Sequence, residues 1–136
     1  MTSKLNDIGL LILRSAFGLI MLAAHGYPKL LKLFSGNEIK FFDPFGIGST
    51  FSFILAVGAE FIGAALLTLG IFTRLSSLSL AITMFVAAFI YHADDPFKSQ
   101  EKAILFFASY IVLFITGPGK YSLQKFIDKK LQIKNG

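Results

Sequence analysis

The stretch LAVGAEFIGAALLTLG, residues 55–70, carries one charge, Glu60, in an otherwise uncharged run. Extended to residues 51–72, the run falls within the roughly 17–25 residues that a helix needs to cross a bilayer. Lipid offers no water to unpaired backbone groups, so only helices and closed barrels span it, and the run lacks a barrel's strand alternation. It reads as a membrane helix with an acid near its middle. Counted from Phe51 at about 1.5 Å per residue, Glu60 lies ~14 Å into the bilayer, near the midplane. An acid there costs on the order of 3 kcal/mol, so it must face a bundle interior and find a partner or a proton. Gly58, Ala59, Gly63, Ala64 and Ala65 beside it let a neighbouring helix or a flat ligand approach closely.

The remaining sequence has the same character. Of 136 residues, 54% are hydrophobic and 15% charged, against about a quarter charged in soluble domains. Mean hydropathy is +0.69. A soluble core of this size cannot hide so much apolar surface, so the excess meets the lipid bilayer or a partner. With no cysteine, the chain has no disulfide framework, no thiolate metal site and no thiol redox chemistry. Basic residues sit at the ends of apolar runs and in the tail rather than in a stripe among exposed aromatics, which excludes a nucleic-acid face.

Four spans are expected, at about residues 8–27, 51–72, 75–92 and 97–117, in a single domain covering residues 1–136. The fold class is all-α, an integral membrane antiparallel four-helix bundle. Arg14 and the absence of an A-x-A site in LAAHG mark the first run as a retained span rather than a cleaved signal, and Pro28 is expected to end it. After GPGKYS, residues 121–134 form a basic amphipathic helix with Leu123, Phe126, Ile127 and Leu131 on one face, suited to a membrane surface. One side of the bundle holds Lys4, Arg74, Lys120, Lys125, Lys129, Lys130 and Lys134; the other holds Lys29, Lys32, Lys40, Lys98 and Lys102. That bias places both termini in the cytoplasm. The outer loop, residues 27–50, is long and aromatic, so it is expected to lie at the interface or to fold over the bundle mouth.

Other ionisable groups then assemble around Glu60. Arg14, in the first span, is expected either to form a structural ion pair with Glu60 or to snorkel to the headgroups. His25 and His92, the two histidines of the chain, end helices one and three at the outer rim, where Glu101 begins helix four. Three readings compete for the histidines. They cap helix ends, they exchange protons with a quinone-like ligand, or they ligate a metal or haem, which no local spacing motif supports.

The motifs LLILRSAFGLIMLAAHGYPKL (10–30), GAEFIGAALLTLGIFTRLSSL (58–78), AAFIYHADDPFKSQEKAILFF (87–107) and GPGKYSL (117–123) resemble, in order and spacing, the DoxX family of small four-helix bacterial membrane proteins. The resemblance implies an inner-membrane protein associated with redox systems. One relative is similar to the quinone-linked subunit of a thiosulfate:quinone oxidoreductase, and others go with partner enzymes. Carried onto this chain, it selects Arg14, His25, Glu60 and Arg74, with His92 and Glu101 beside them. The expectation is a membrane subunit that binds a quinone or a similar apolar aromatic. Glu60 and His25 are the expected catalytic residues, and Arg14, His25, Glu60, His92 and Glu101 the ligand-binding set; no metal is expected. The chain has no dinucleotide fingerprint, so any electrons that move here would need a quinone or a partner protein. Two alternatives stand beside this one: a transporter or channel for protons or a small solute, which would require a homo-oligomer, and a non-catalytic scaffold for a partner enzyme.

Overall fold

The computed structural model describes residues 2–135; Met1 and Gly136, the ends of the expected domain, lie outside the described residues. Helix α1 covers residues 2–33, α2 residues 49–69, α3 residues 73–91, α4 Phe97–Thr116 and α5 Leu123–Asn135. The first four are long and apolar enough to cross a membrane, and together they form the all-α bundle. They pack as a ring in chain order, α1 on α2, α2 on α3, α3 on α4, with α4 returning to α1. Inside lie Met21, Ala64, Leu67, Leu80, Ala88, Tyr110 and Leu113; outside, Ile12, Leu19, Ile62, Ile82, Leu105 and Ile115 form an apolar belt for lipid.

Helix α1 continues beyond the expected break at Pro28. Its ladder widens to a π-helical turn over Leu22–Gly26 and resumes as α-helix over Tyr27–Leu33, with Pro28 in the first turn of the resumed segment. A proline's missing N–H is tolerated at such a start, and the bulge absorbs the mismatch that would otherwise kink the helix. Helix α2 stops at Leu69, before the apolar run does. Gly70 turns left-handed at φ 74°, with its N–H donating to Leu67 O and that of Ile71 donating to Leu66 O, the paired bonds of a Schellman cap. Phe72 at φ 46° completes the turn in a conformation costly for a bulky residue, which the antiparallel packing of α2 on α3 holds in place.

Two glycines set how closely α1 meets α2. A Cβ on Gly26 would overlap the Glu60 carbonyl and stand 2.8 Å from Phe61 Cα, and one on Gly18 would strike Thr68, 3.2 Å from its Cα. The end of the bundle that holds both termini is closed by the turn at residues 117–122. Arg14, only 3% exposed, donates from Nη1 to Pro118 O at 2.6 Å, from Nη2 to Tyr121 O at 2.7 Å and from Nε to Thr68 O at 3.3 Å. The Lys120 N–H donates to Asp7 Oδ1 and the Gln124 N–H to Gly70 O. One guanidinium thus ties the start of α5 to α1 and α2.

Arg14→Gln should therefore strip three carbonyls of their donor. Leaving buried acceptors unpaired costs about 1–3 kcal/mol each, partly relieved by relaxation, so a loss of about 3 kcal/mol is expected. Thermal unfolding of the detergent-purified variant beside wild type measures it.

Candidate functional site

The opposite end of the bundle is open between the helices and roofed by the α1–α2 loop, enclosing a cavity of about 490 Å³. Its position follows from three π-helical turns, Leu22–Gly26, Gly58–Gly63 and Val86–Tyr91, one in each of the first three helices. A π turn adds a residue to the helical circumference and pushes side chains out of the regular ladder, and such turns occur frequently at functional sites. The three turns carry His25, Glu60 and Tyr91, all of which line the cavity, and His92 follows directly after the third.

Glu60 is 3% exposed, and its Oε1 accepts a hydrogen bond from Lys29 Nζ at 2.8 Å. Among the described residues the Oε2 atom accepts none. The expected Arg14–Glu60 ion pair is thus corrected: Arg14 spends its donors on the carbonyls at the closed end, and Lys29 of the same helix neutralises the acid. The cause is the continuation of α1 through Pro28, which carries Lys29 past the π turn and back over Glu60.

His25, partly buried, lies edge-on to Phe106 with ring centroids 6.0 Å apart, and Phe106 in turn meets Phe17 edge-on at 5.3 Å. His92 Nδ1 lies 2.7 Å from Asp95 Oδ2, and Gln100 Nε2 donates to the His92 carbonyl at 2.7 Å, which fastens the α3–α4 turn. Glu60, His25 and His92 therefore meet around one cavity. Two members of the expected ligand-binding set do not join them. Arg14 is at the other end, and Glu101 is exposed and absent from the lining because it faces outward on the first turns of α4. Arg74, singled out by the motif resemblance, stands beside Gly117 at the closed end.

The roof is aromatic. Phe41, Phe42 and Phe45 of the loop line the cavity, with Phe41 packed against Phe53 and Phe42 against Tyr91, each pair at 5.1 Å between centroids. Asp43 latches the loop to the start of α2: its carboxylate accepts from the N–H groups of Gly48 at 2.7 Å and Ile47 at 3.0 Å and from the Ser52 hydroxyl at 2.9 Å. The Gly48 N–H foremost, then Ser52 and Ile47, hold this carboxyl below its ordinary pKa. Lys29, Lys40, Lys102, Tyr91 and the loop phenylalanines are among the site residues that the motifs did not single out. For Lys29 a signal existed: it follows His25 by four positions, one turn along the same helical face.

The DoxX family profile matches residues 9–93. The chain is similar to "Inner membrane protein YqjF" of Escherichia coli (strain K12), 27% identical over 133 residues, covering 93% of this chain and 98% of that one. It is also similar to "Putative oxidoreductase CatD" of Bacillus subtilis (strain 168), 32% identical over 130 residues, 93% of this chain and 92% of that one. No solved structure gives a significant match.

Two outcomes are expected of this geometry. Lys29→Met strands a buried carboxylate and should cost about 2 kcal/mol, less than a fully buried pair because Lys29 is a quarter exposed. Adding Glu60→Gln should restore most of that loss, and a double-mutant cycle on unfolding midpoints measures the coupling. The Asp43 latch should hold at neutral pH, where the depressed carboxyl is ionised, and weaken as pH falls through its folded pKa. Limited proteolysis within residues 34–48 should therefore accelerate on acidification in wild type, and Asp43→Asn should cleave quickly at every pH.

Proposed function

The chain belongs to the DoxX family, and on that premise we propose that it is a multi-pass inner-membrane subunit of a redox system. In this reading it binds a quinone or similar apolar aromatic between its helices, and both termini face the cytoplasm. One observation carries it: an aromatic-walled cavity of about 490 Å³ into which an intramembrane carboxylate and an imidazole both project. That volume falls in the range of roughly 300–1,000 Å³ usual for small-molecule sites, whose walls are mostly apolar with a few placed polar groups.

The residues fit such a ligand. Phe41, Phe42, Phe45, Tyr91 and Phe106 supply flat apolar walls, and the small side chains of Ala56, Ala87 and Ala103 leave room between the helices. A quinone, when bound, takes up two electrons and two protons on conversion to the quinol. The chain's own part is the protons. Glu60 Oε2 has no partner among the described residues, so it can hold a proton or give one to a ligand oxygen while Oε1 stays tied to Lys29. His25, on the facing helix, offers a second proton carrier, and Lys29 sets the charge of the carboxylate. The loop roof keeps bulk water from the pair, which strengthens the electrostatics of the site. Electrons would arrive from a partner protein; the redox role itself is in keeping with the Bacillus subtilis relative, which is named an oxidoreductase.

Transport is supported less well. Between Glu60 and the closed end, the bundle axis is filled by Met21, Ala64, Leu67, Tyr110 and Leu113, and the Tyr110 hydroxyl donates to Phe17 O at 3.1 Å. A pore along this axis would require those side chains to move.

Mass spectrometry of an organic extract from the gently purified protein, wild type beside Glu60→Gln, tests the reading. A quinone is expected in the wild type and should be depleted in the variant, whose bundle remains folded. No aromatic ligand in either would remove the redox reading.

A further inference from the structure

Charge at the open end of the bundle is sorted between the cavity and its surroundings. Six acids lie there, Glu38, Asp43, Glu60, Asp94, Asp95 and Glu101, and of these Glu60 alone lines the cavity. Five lysines lie there too, Lys29, Lys32, Lys40, Lys98 and Lys102, and three of them, Lys29, Lys40 and Lys102, line it. The acids are otherwise occupied or outside the lining: Asp43 holds the loop, Asp95 faces His92, and Glu38, Asp94 and Glu101, exposed as Lys40 and Lys102 also are, do not line the cavity. Overall this end has no cationic excess. Its cavity does.

Within the cavity, Glu60 is already matched by Lys29 at 2.8 Å. The ion pairs among the described residues are that one and His92–Asp95, so Lys40 and Lys102 have no acidic partner there. They come from different elements, Lys40 from the roof loop and Lys102 from the first turns of α4, one helical turn from Phe106. A single helix stripe does not explain their meeting at one mouth. A cleft lined by one sign of charge with apolar walls concentrates ligands of the other sign.

Resting on the reading that this cavity binds an apolar aromatic, we propose that within that class it selects an anion over a neutral molecule such as an unsubstituted quinone: an apolar aromatic with one negatively charged group, such as a carboxylate or phenolate, received by Lys40 and Lys102. The apolar body lies against Phe41, Phe42 and Phe106, and the charged group stays at the mouth, where both lysines are exposed to solvent. Lys29 is not available for this, because removing it from Glu60 would leave a buried carboxylate unpaired. The same chemistry could be supplied by a dissolved aromatic acid or by the headgroup of an anionic lipid.

The test compares 2-naphthoate with its neutral isostere 2-naphthamide, by equilibrium dialysis against the full chain in phosphatidylcholine nanodiscs, with empty discs subtracted. Wild type should bind the anion about tenfold more tightly, the discrimination that two partly solvated ion pairs of ordinary surface strength provide. The preference should vanish in the Lys40→Gln/Lys102→Gln variant and persist in Lys40→Arg/Lys102→Arg. Equal affinity for the two probes in wild type would overturn the charge selection and leave the cavity reading standing; binding of neither would overturn both. A preference that survives the glutamine variant would overturn the assignment to these lysines. Repeating the measurement with phosphatidylglycerol in the discs separates the sources. Displacement of naphthoate supports the site with a lipid headgroup as the anion, and undiminished binding supports it with a dissolved acid.

Discussion

A carboxylate near the midplane of a bilayer has to be neutralised locally, because neither water nor salt reaches it to screen its charge. Glu60 imposes that requirement on everything around it. Its partner, Lys29, can reach it only if α1 continues past Pro28 and only if the α1 and α2 backbones come close enough. Gly26 provides the closeness, since any side chain there would collide with the Glu60 backbone. The π turns in both helices provide the phase, rotating Lys29 and Glu60 toward each other and toward the bundle axis. Small residue, bulge and ion pair form one arrangement, and each part makes sense only with the others.

The two ends of the bundle use polar residues in opposite ways. At the closed end, each of the three guanidinium nitrogens of Arg14 donates to a backbone carbonyl, and the turn at residues 117–122 is fixed against α1 and against the α2–α3 corner. These bonds make a rigid floor, although Thr73 Oγ1 at the α2–α3 corner is buried there without a partner among the described residues. At the open end, Glu60 keeps one oxygen free, His25 has no hydrogen-bond partner among the described residues, and two lysines stand without acids. Polar groups left unmatched around a cavity are where a ligand finds its contacts. The aromatic loop over them, tied down by Asp43, separates that chemistry from the bulk phase.

Much of this was legible from residue types alone. The length and apolarity of the runs led to four membrane helices, and a lone acid at mid-membrane depth was expected to face the bundle interior, as it does. His25 and His92 were placed at the outer rim from their positions at helix ends, and both line that cavity. Arg14 shows where such reasoning fails. Depth and opposite charge recommended it to Glu60, but depth says nothing about which carbonyls lie nearer, and those of Pro118 and Tyr121 are more than a hundred residues away in sequence. Pro28 shows the reverse: a strong local helix-breaking signal was outweighed by a bulge that the packing of α1 on α2 stabilises.

By itself, then, the sequence determined the solvent and the four apolar spans as helices, because both follow from hydrogen bonding and transfer free energy summed over each segment, whatever its neighbours. It also determined that Glu60 must be compensated. Which cation does so, which acids are kept out of the cavity and which lysines are admitted to it were decided only by the tertiary structure. Those outcomes turn on differences of a few ångströms between helices, set by Gly18, Gly26 and the three π turns, and no property of a single segment carries distances between segments.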